Sequence, residues 1–144
     1  MSNQFQLSRY DIESIAITPN NNYNPKLKAH SGDVTSTLQV ARHKEDPKKF
    51  IVMLELLVRP TNGREAKFYP YNISIKGRGH FAFHDEPQPS DANRILNVNG
   101  ASILYGLLRA QIIQITAQSI RGQFILPALN FVEIFEKNNP ASKT

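Results

Sequence analysis

Between Ala101 and Gln118 the chain runs for 18 residues with a single charge, Arg109. Leu104, Leu108, Ile112 and Ile115 recur there at the three- and four-residue steps that put side chains on one face of an α-helix, which predicts a helix about 27 Å long. Asn97 or Asn99 stands where a cap for its first turn belongs. Ile103, Leu107 and Ile113 fall outside the stripe, so the helix is apolar nearly all round and has to be covered on several sides. A bilayer is not that cover, because Ser102, Arg109, Gln111, Gln114, Thr116 and Gln118 would strand polar groups in hydrocarbon. One sheet covers one side. A partner subunit is the economical cover for the rest, with Ile103, Leu107 and Ile113 at the interface.

The sheet is legible upstream as period-two alternation. Tyr69, Tyr71, Ile73 and Ile75, then Phe81 and Phe83, share one face, while Asn72, Ser74, Lys76, Arg78 and His80 share the other. Gly77 and Gly79 interrupt the apolar face, which predicts a bulge or a close approach of another backbone. From Phe50 to Arg59 both faces are largely apolar, as befits a central strand, and the Lys44 to Lys48 turn joins it as a hairpin to an alternating stretch from Val34 to Ala41. Asn62-Gly63 signals a further tight turn. Near the start Phe5 and Leu7 are in one phase, Tyr10 and Ile12 in the next, and Ile15 and Ile17 back again, so a long bulged strand fits best. A short helix from Phe131 to Glu136 follows Pro127, ahead of a polar tail from Lys137. The expected fold class is α+β: a four-stranded antiparallel sheet on a long helix, with a second short helix, in one domain spanning residues 1–144.

Several chemistries are excluded or unsupported. The chain has no cysteine, which removes disulfides, thiolate zinc sites and a cysteine nucleophile. No run of acids, histidines or glycines matches a catalytic or phosphate-binding motif, so neither an enzyme nor a cofactor is expected. His80 and His84 share a strand face but lie about 13 Å apart, too far to ligate one metal. The net charge of +5 makes nucleic acid a partner to weigh, through Lys26, Lys28, Arg42, Lys44, Lys48, Lys49, Lys67, Lys76 and Arg78 with Phe81 and Phe83 interleaved. Most of these lysines fall in loops and read as a solvated surface. A ligand-binding α+β domain with an apolar cavity is a further reading. The opening residues MSNQFQLSRYD lack the basic start and apolar centre of a signal peptide, so a cytosolic protein is expected.

Three segments carry a likeness when taken in order: Phe5-Gln6-Leu7 with Arg9, ending at Pro19-Asn20; Ile103-Leu104-Tyr105 with Arg109; and Leu126-Pro127-Ala128-Leu129-Asn130-Phe131 with Phe135. Together with Gly79 and Phe81, they resemble the SecB protein-export chaperones over nearly the whole chain. The resemblance implies a dimer of dimers with the long helices between subunits. It also implies a holdase, which keeps polypeptide clients unfolded in long apolar grooves without nucleotide. Carried over residue by residue, the client-binding positions are Val34, Ser36 and Leu38 on the second strand, Phe83 on the fourth, and Phe131 and Phe135 on the second helix. Phe124, in the connection between the helices, is a further candidate, and ordinary core is the competing reading for each.

The likeness departs at the surface that docks the zinc-bearing tail of the export motor SecA. The family's leucine and glutamate on the fourth strand fall on Asn72 and Ser74 here, leaving Asp11 and Glu13 as the only remnants of the acidic patch. Gly106 replaces the family's proline. The expectation is therefore against SecA. SecB-like chaperones also protect antitoxins in toxin-antitoxin systems, and an antitoxin client is the other branch that the resemblance allows.

Overall fold

The structure, a computed structural model, describes residues 4–27, 34–58 and 67–138. Lys28, the turn at Asn62-Gly63 and the tail beyond residue 138 lie outside these. Four strands, β1 (Phe5–Pro19), β2 (Thr35–Arg42), β3 (Lys49–Val58) and β4 (Tyr71–Phe83), form one antiparallel sheet in the order β1-β4-β3-β2. The helical half is α1 (Pro89–Ile95), a wide π turn over Leu96–Gly100, α2 (Ala101–Thr116) and α3 (Phe131–Asn138). This is the α+β architecture that the alternation and the helical period predict.

The three phases of β1 are explained by its pairing with β4. The register slips between Leu7 and Arg9 and again between Ile12 and Ser14, so Ser8 and Glu13 are extra residues on β1. Each bulge flips the alternation once and returns Tyr10 with Ile12, then Ile17, to the side facing the core. The bulges sit on β1 rather than at the glycines opposite. At Gly77 the requirement is close approach: a Cβ there would lie 2.7 Å from Leu108 Cδ2, so the missing side chain lets α2 settle directly on the sheet.

β3 is central, between β4 and β2, and Val52, Leu54, Leu56 and Val58 are fully buried beneath the helices. Its other apolar face, Ile51, Met53 and Leu57, is half-buried, and among the described residues no helix packs on that side of the sheet.

Two expectations about the long helix need correcting. The helical path starts at Pro89, not Ala101, and the backbone at Gly100 is already helical (φ −61°, ψ −45°). Neither Asn97 nor Asn99 caps α2, because the preceding turn supplies the carbonyls that its first N–H groups need. The Asn97 amide instead donates to the carbonyl of Asn93 at 2.7 Å. The buried stripe is Leu104, Leu108 and Ile112, continued by Thr116 rather than Ile115, which is 40% exposed. A four-residue step from Ile112 lands on Thr116, whose hydroxyl donates to the Ile112 carbonyl (2.6 Å) and accepts the Phe124 N–H (3.0 Å).

That hydroxyl is one of several fastenings for the connection 117–130, which lies along α2 as a strap. The Arg109 guanidinium donates to the Leu126 carbonyl at 2.8 Å, and the Tyr105 hydroxyl donates to that of Pro127. The Tyr71 hydroxyl donates to the Gly122 carbonyl (2.7 Å) and accepts the Arg121 N–H (3.0 Å), while Gly122 takes the left-handed conformation (φ 80°) that the turn requires. The strap thus covers a second side of α2 from within the chain, which the sequence did not predict, and among the described residues nothing covers a third side.

Candidate client-binding clefts

α3 is short but well specified. Asn130 caps it, its side-chain oxygen accepting the N–H groups of Val132 (3.0 Å) and Glu133 (3.2 Å). Phe131 and Phe135, one turn apart, bury their rings on one side of it. Phe131 meets Tyr105 edge-on at 5.7 Å, and the Arg94 guanidinium lies over the Phe135 ring at 5.8 Å. Between this face and β2 lies a cleft of about 160 Å³ lined by Ser36, Leu38, Asn97, Phe131, Ile134 and Phe135, with Asn138 at the end of α3.

The structure therefore brings four of the expected client-binding residues, Ser36, Leu38, Phe131 and Phe135, around one cleft. Ser36 and Leu38 are half-buried there. The other three stand elsewhere. Val34 is buried in the core just before β2. Phe83 is 4% exposed at the hairpin end of the sheet, stacked on Phe5 at 5.4 Å and edge-on to Phe50 at 5.6 Å. Phe124 is buried against Tyr69 at 5.7 Å. Sequence reasoning missed Ile134, whose three-residue step from Phe131 is a readable signal, and Asn97, which enters it only as one of two alternative cap positions.

On the third side of α2, Ile103 is 41% exposed and Leu107 and Ile113 are half-buried. Gly106 and Ala110 lie exposed between them, and a Cβ on Gly106 would meet nothing within 4 Å. The expected interface residues thus share one open apolar face.

Asp11 and Glu13 both project from β1, and both are occupied. Asp11 lies 3.2 Å from His80 Nε2 and 3.5 Å from Arg9 Nε. Glu13 is bridged by Lys76 Nζ at 3.1 Å and by the Arg78 guanidinium. Hydrogen bonds from Lys76 and then Arg78 hold the Glu13 carboxyl below its usual range. Phe81 and Phe83, the rings interleaved with the basic residues, are buried, so they offer no face on which a base could stack. Among the described residues no helix is long and apolar enough to cross a membrane.

No family model and no curated protein matches the sequence. Solved structures do match the fold. One is the SecB-like chaperone Rv1957 of Mycobacterium tuberculosis, in complex with a ChAD peptide from the Rv1956 HigA1 antitoxin. It is 16% identical, with a TM-score of 0.58 over 88% of this chain and 91% of that one. Another is a protein of unknown function from Streptococcus agalactiae, 11% identical, with a TM-score of 0.56 over 90% of this chain and 100% of the other. At these identities the likeness is one of fold: the chain folds like a SecB-like chaperone.

Proposed function

We propose that the chain is a holdase, binding unfolded polypeptide in the cleft between β2 and α3 without nucleotide or catalysis. It acts in the cytosol as a tetramer formed over the open face of α2. The observation that carries the reading is the cleft itself, with half-buried Leu38 facing Phe131, Ile134 and Phe135 in a fold shared with a chaperone solved on an antitoxin peptide. Each apolar side chain buried in such a cleft contributes about 1.5–3 kcal/mol, and the contacts of one client chain are linked, so shallow sites add up to useful affinity. Binding the unfolded state alone draws the client's folding equilibrium away from the native form. The neighbour's bound peptide supports an antitoxin segment over an export precursor as the client, and the paired state of Asp11 and Glu13 supports the same choice.

Suppression of aggregation of a chemically denatured client, measured without ATP, tests this. The unmodified chain should suppress aggregation. Leu38→Ser should weaken the effect with little change in Tm, because Leu38 is only half-buried at the sheet edge. Phe83→Ser should instead lower Tm, since emptying a packed aromatic site costs about 3–5 kcal/mol. No suppression by the unmodified chain, or full suppression by the Leu38 variant, would overturn the assignment.

A further inference from the structure

A second cleft lies next to the one under α3. Beyond Leu38, Val40 and Arg42 form the strand wall of a cleft of about 300 Å³ whose other walls include Phe50, Pro89, Ala92 and Leu96. The two share no lining residue but are neighbours along both walls. Leu38 and Val40 are successive same-face residues of β2, while Asn97 lines the first cleft and Asn93 the second. One helical turn separates these asparagines, and the Asn97 amide is bonded to the Asn93 side chain at 3.0 Å.

Beside both clefts runs an unused edge. β2 pairs with β3 on one side, and among the described residues no strand pairs with the other, so backbone N–H and C=O groups along Thr35–Arg42 point outward. An apolar small molecule would leave that row of donors and acceptors unanswered. A polypeptide main chain answers it.

We propose that an extended polypeptide segment adds to this edge as a fifth strand, seating one apolar side chain in each cleft, with a carboxylate beside Arg42. The proposal rests on the holdase reading and deepens it by naming the binding mode and the client pattern. An added strand advances with β2 residue for residue, and the strand walls Ser36–Leu38 and Val40–Arg42 are centred four residues apart, about 13 Å. The two anchors therefore sit at positions i and i+4 of the client, where an even step keeps them on one face. Arg42 ends β2 exposed and, among the described residues, outside any ion pair, so a neighbouring strand meets its guanidinium as a cross-strand partner. Glu86, also exposed, belongs to the loop wall of the same cleft rather than to the strand.

Fluorescein-labelled synthetic peptides in a serine and threonine background, read by anisotropy against the full chain, test the pattern. Two leucines four apart should bind about tenfold or more tighter than two leucines three apart, which an extended chain directs to opposite faces. Aspartate flanks should outbind lysine flanks, and Arg42→Glu should reverse that order. N-methylation of the amides facing β2 should abolish the advantage of the four-residue spacing. Suppression of client aggregation is measured in parallel. If suppression is present but affinity ignores spacing, N-methylation and flank charge, the added-strand mode is overturned and the holdase reading stands. If the unmodified chain neither suppresses aggregation nor binds any peptide, the holdase reading falls and this inference falls with it.

Discussion

Thr116 shows what a helical period can and cannot reveal. Hydropathy favours Ile115 for the last buried position of α2, yet the buried residue is Thr116, because its hydroxyl holds the Phe124 N–H of the strap and the carbonyl of Ile112. That choice depends on a segment eight residues on, which periodicity does not contain. Thr116→Val keeps the shape and leaves the Phe124 N–H buried without this acceptor, so it should cost about 1–3 kcal/mol in chemical denaturation, with Thr116→Ser closer to the original. An unchanged midpoint for the valine variant would refute the role. Tyr105 makes a companion case. Burial pushes its hydroxyl up to about 12, against the opposing influence of Arg109, and the protonated form is the one that donates to Pro127. A folded value above the ordinary 10.0 means the folded state holds the proton more tightly. The contribution is full below pH 10 and fades as pH rises toward about 12. Tyr105→Phe should flatten that alkaline slope, and an unaltered slope would assign it to other groups.

At the scale of elements, the sheet was legible because its alternation is local, and even the two bulges of β1 were visible as phase slips at Phe5–Leu7, Tyr10–Ile12 and Ile15–Ile17. The candidate cleft was legible only in part. Ser36, Leu38, Phe131 and Phe135 are positions that the resemblance implies and they do meet, but whether Phe83 joins them depends on how the hairpin end packs, and it packs on Phe5 and Phe50. The outward side of β1 and β4 was legible in its residues but not in their pairing. Asp11 and Glu13 looked like a reduced acidic patch, but the register sets Asp11 opposite Arg78 and Ser14 opposite Lys76, and both acids are drawn into pairs with basic neighbours. Such exposed pairs add little stability, yet they cancel the field that a basic ligand would follow. Calorimetry at physiological salt should therefore detect no binding of the zinc-loaded SecA tail peptide. Binding at micromolar affinity or tighter would contradict this and favour an export role.

For the whole molecule the decisive feature is the side of α2 that neither sheet nor strap covers. A single exposed isoleucine is ordinary on a protein surface, but Ile103, Leu107, Ala110 and Ile113 follow one another at helical spacing with Gly106 among them, which makes a continuous apolar strip. The absent side chain at Gly106 allows another backbone to come close. A second copy related by a two-fold axis presents the same strip, so each helix can cover the other without any further partner. The strap lowers how much of α2 needs covering compared with what its composition suggests, but it leaves these residues untouched. That pairing gives a dimer, and the dimer of dimers that the resemblance to SecB implies doubles it, so light scattering at micromolar concentration should find a tetramer. Leu107→Glu puts a carboxylate into a desolvated contact with no cation to meet it, and should yield smaller species that still unfold cooperatively. Because Leu107 is half-buried on the open side while Leu104 and Leu108 fill the core, the substitution separates assembly from folding. A monodisperse monomer for the unmodified chain, or an intact tetramer for the variant, would place the interface elsewhere or remove it.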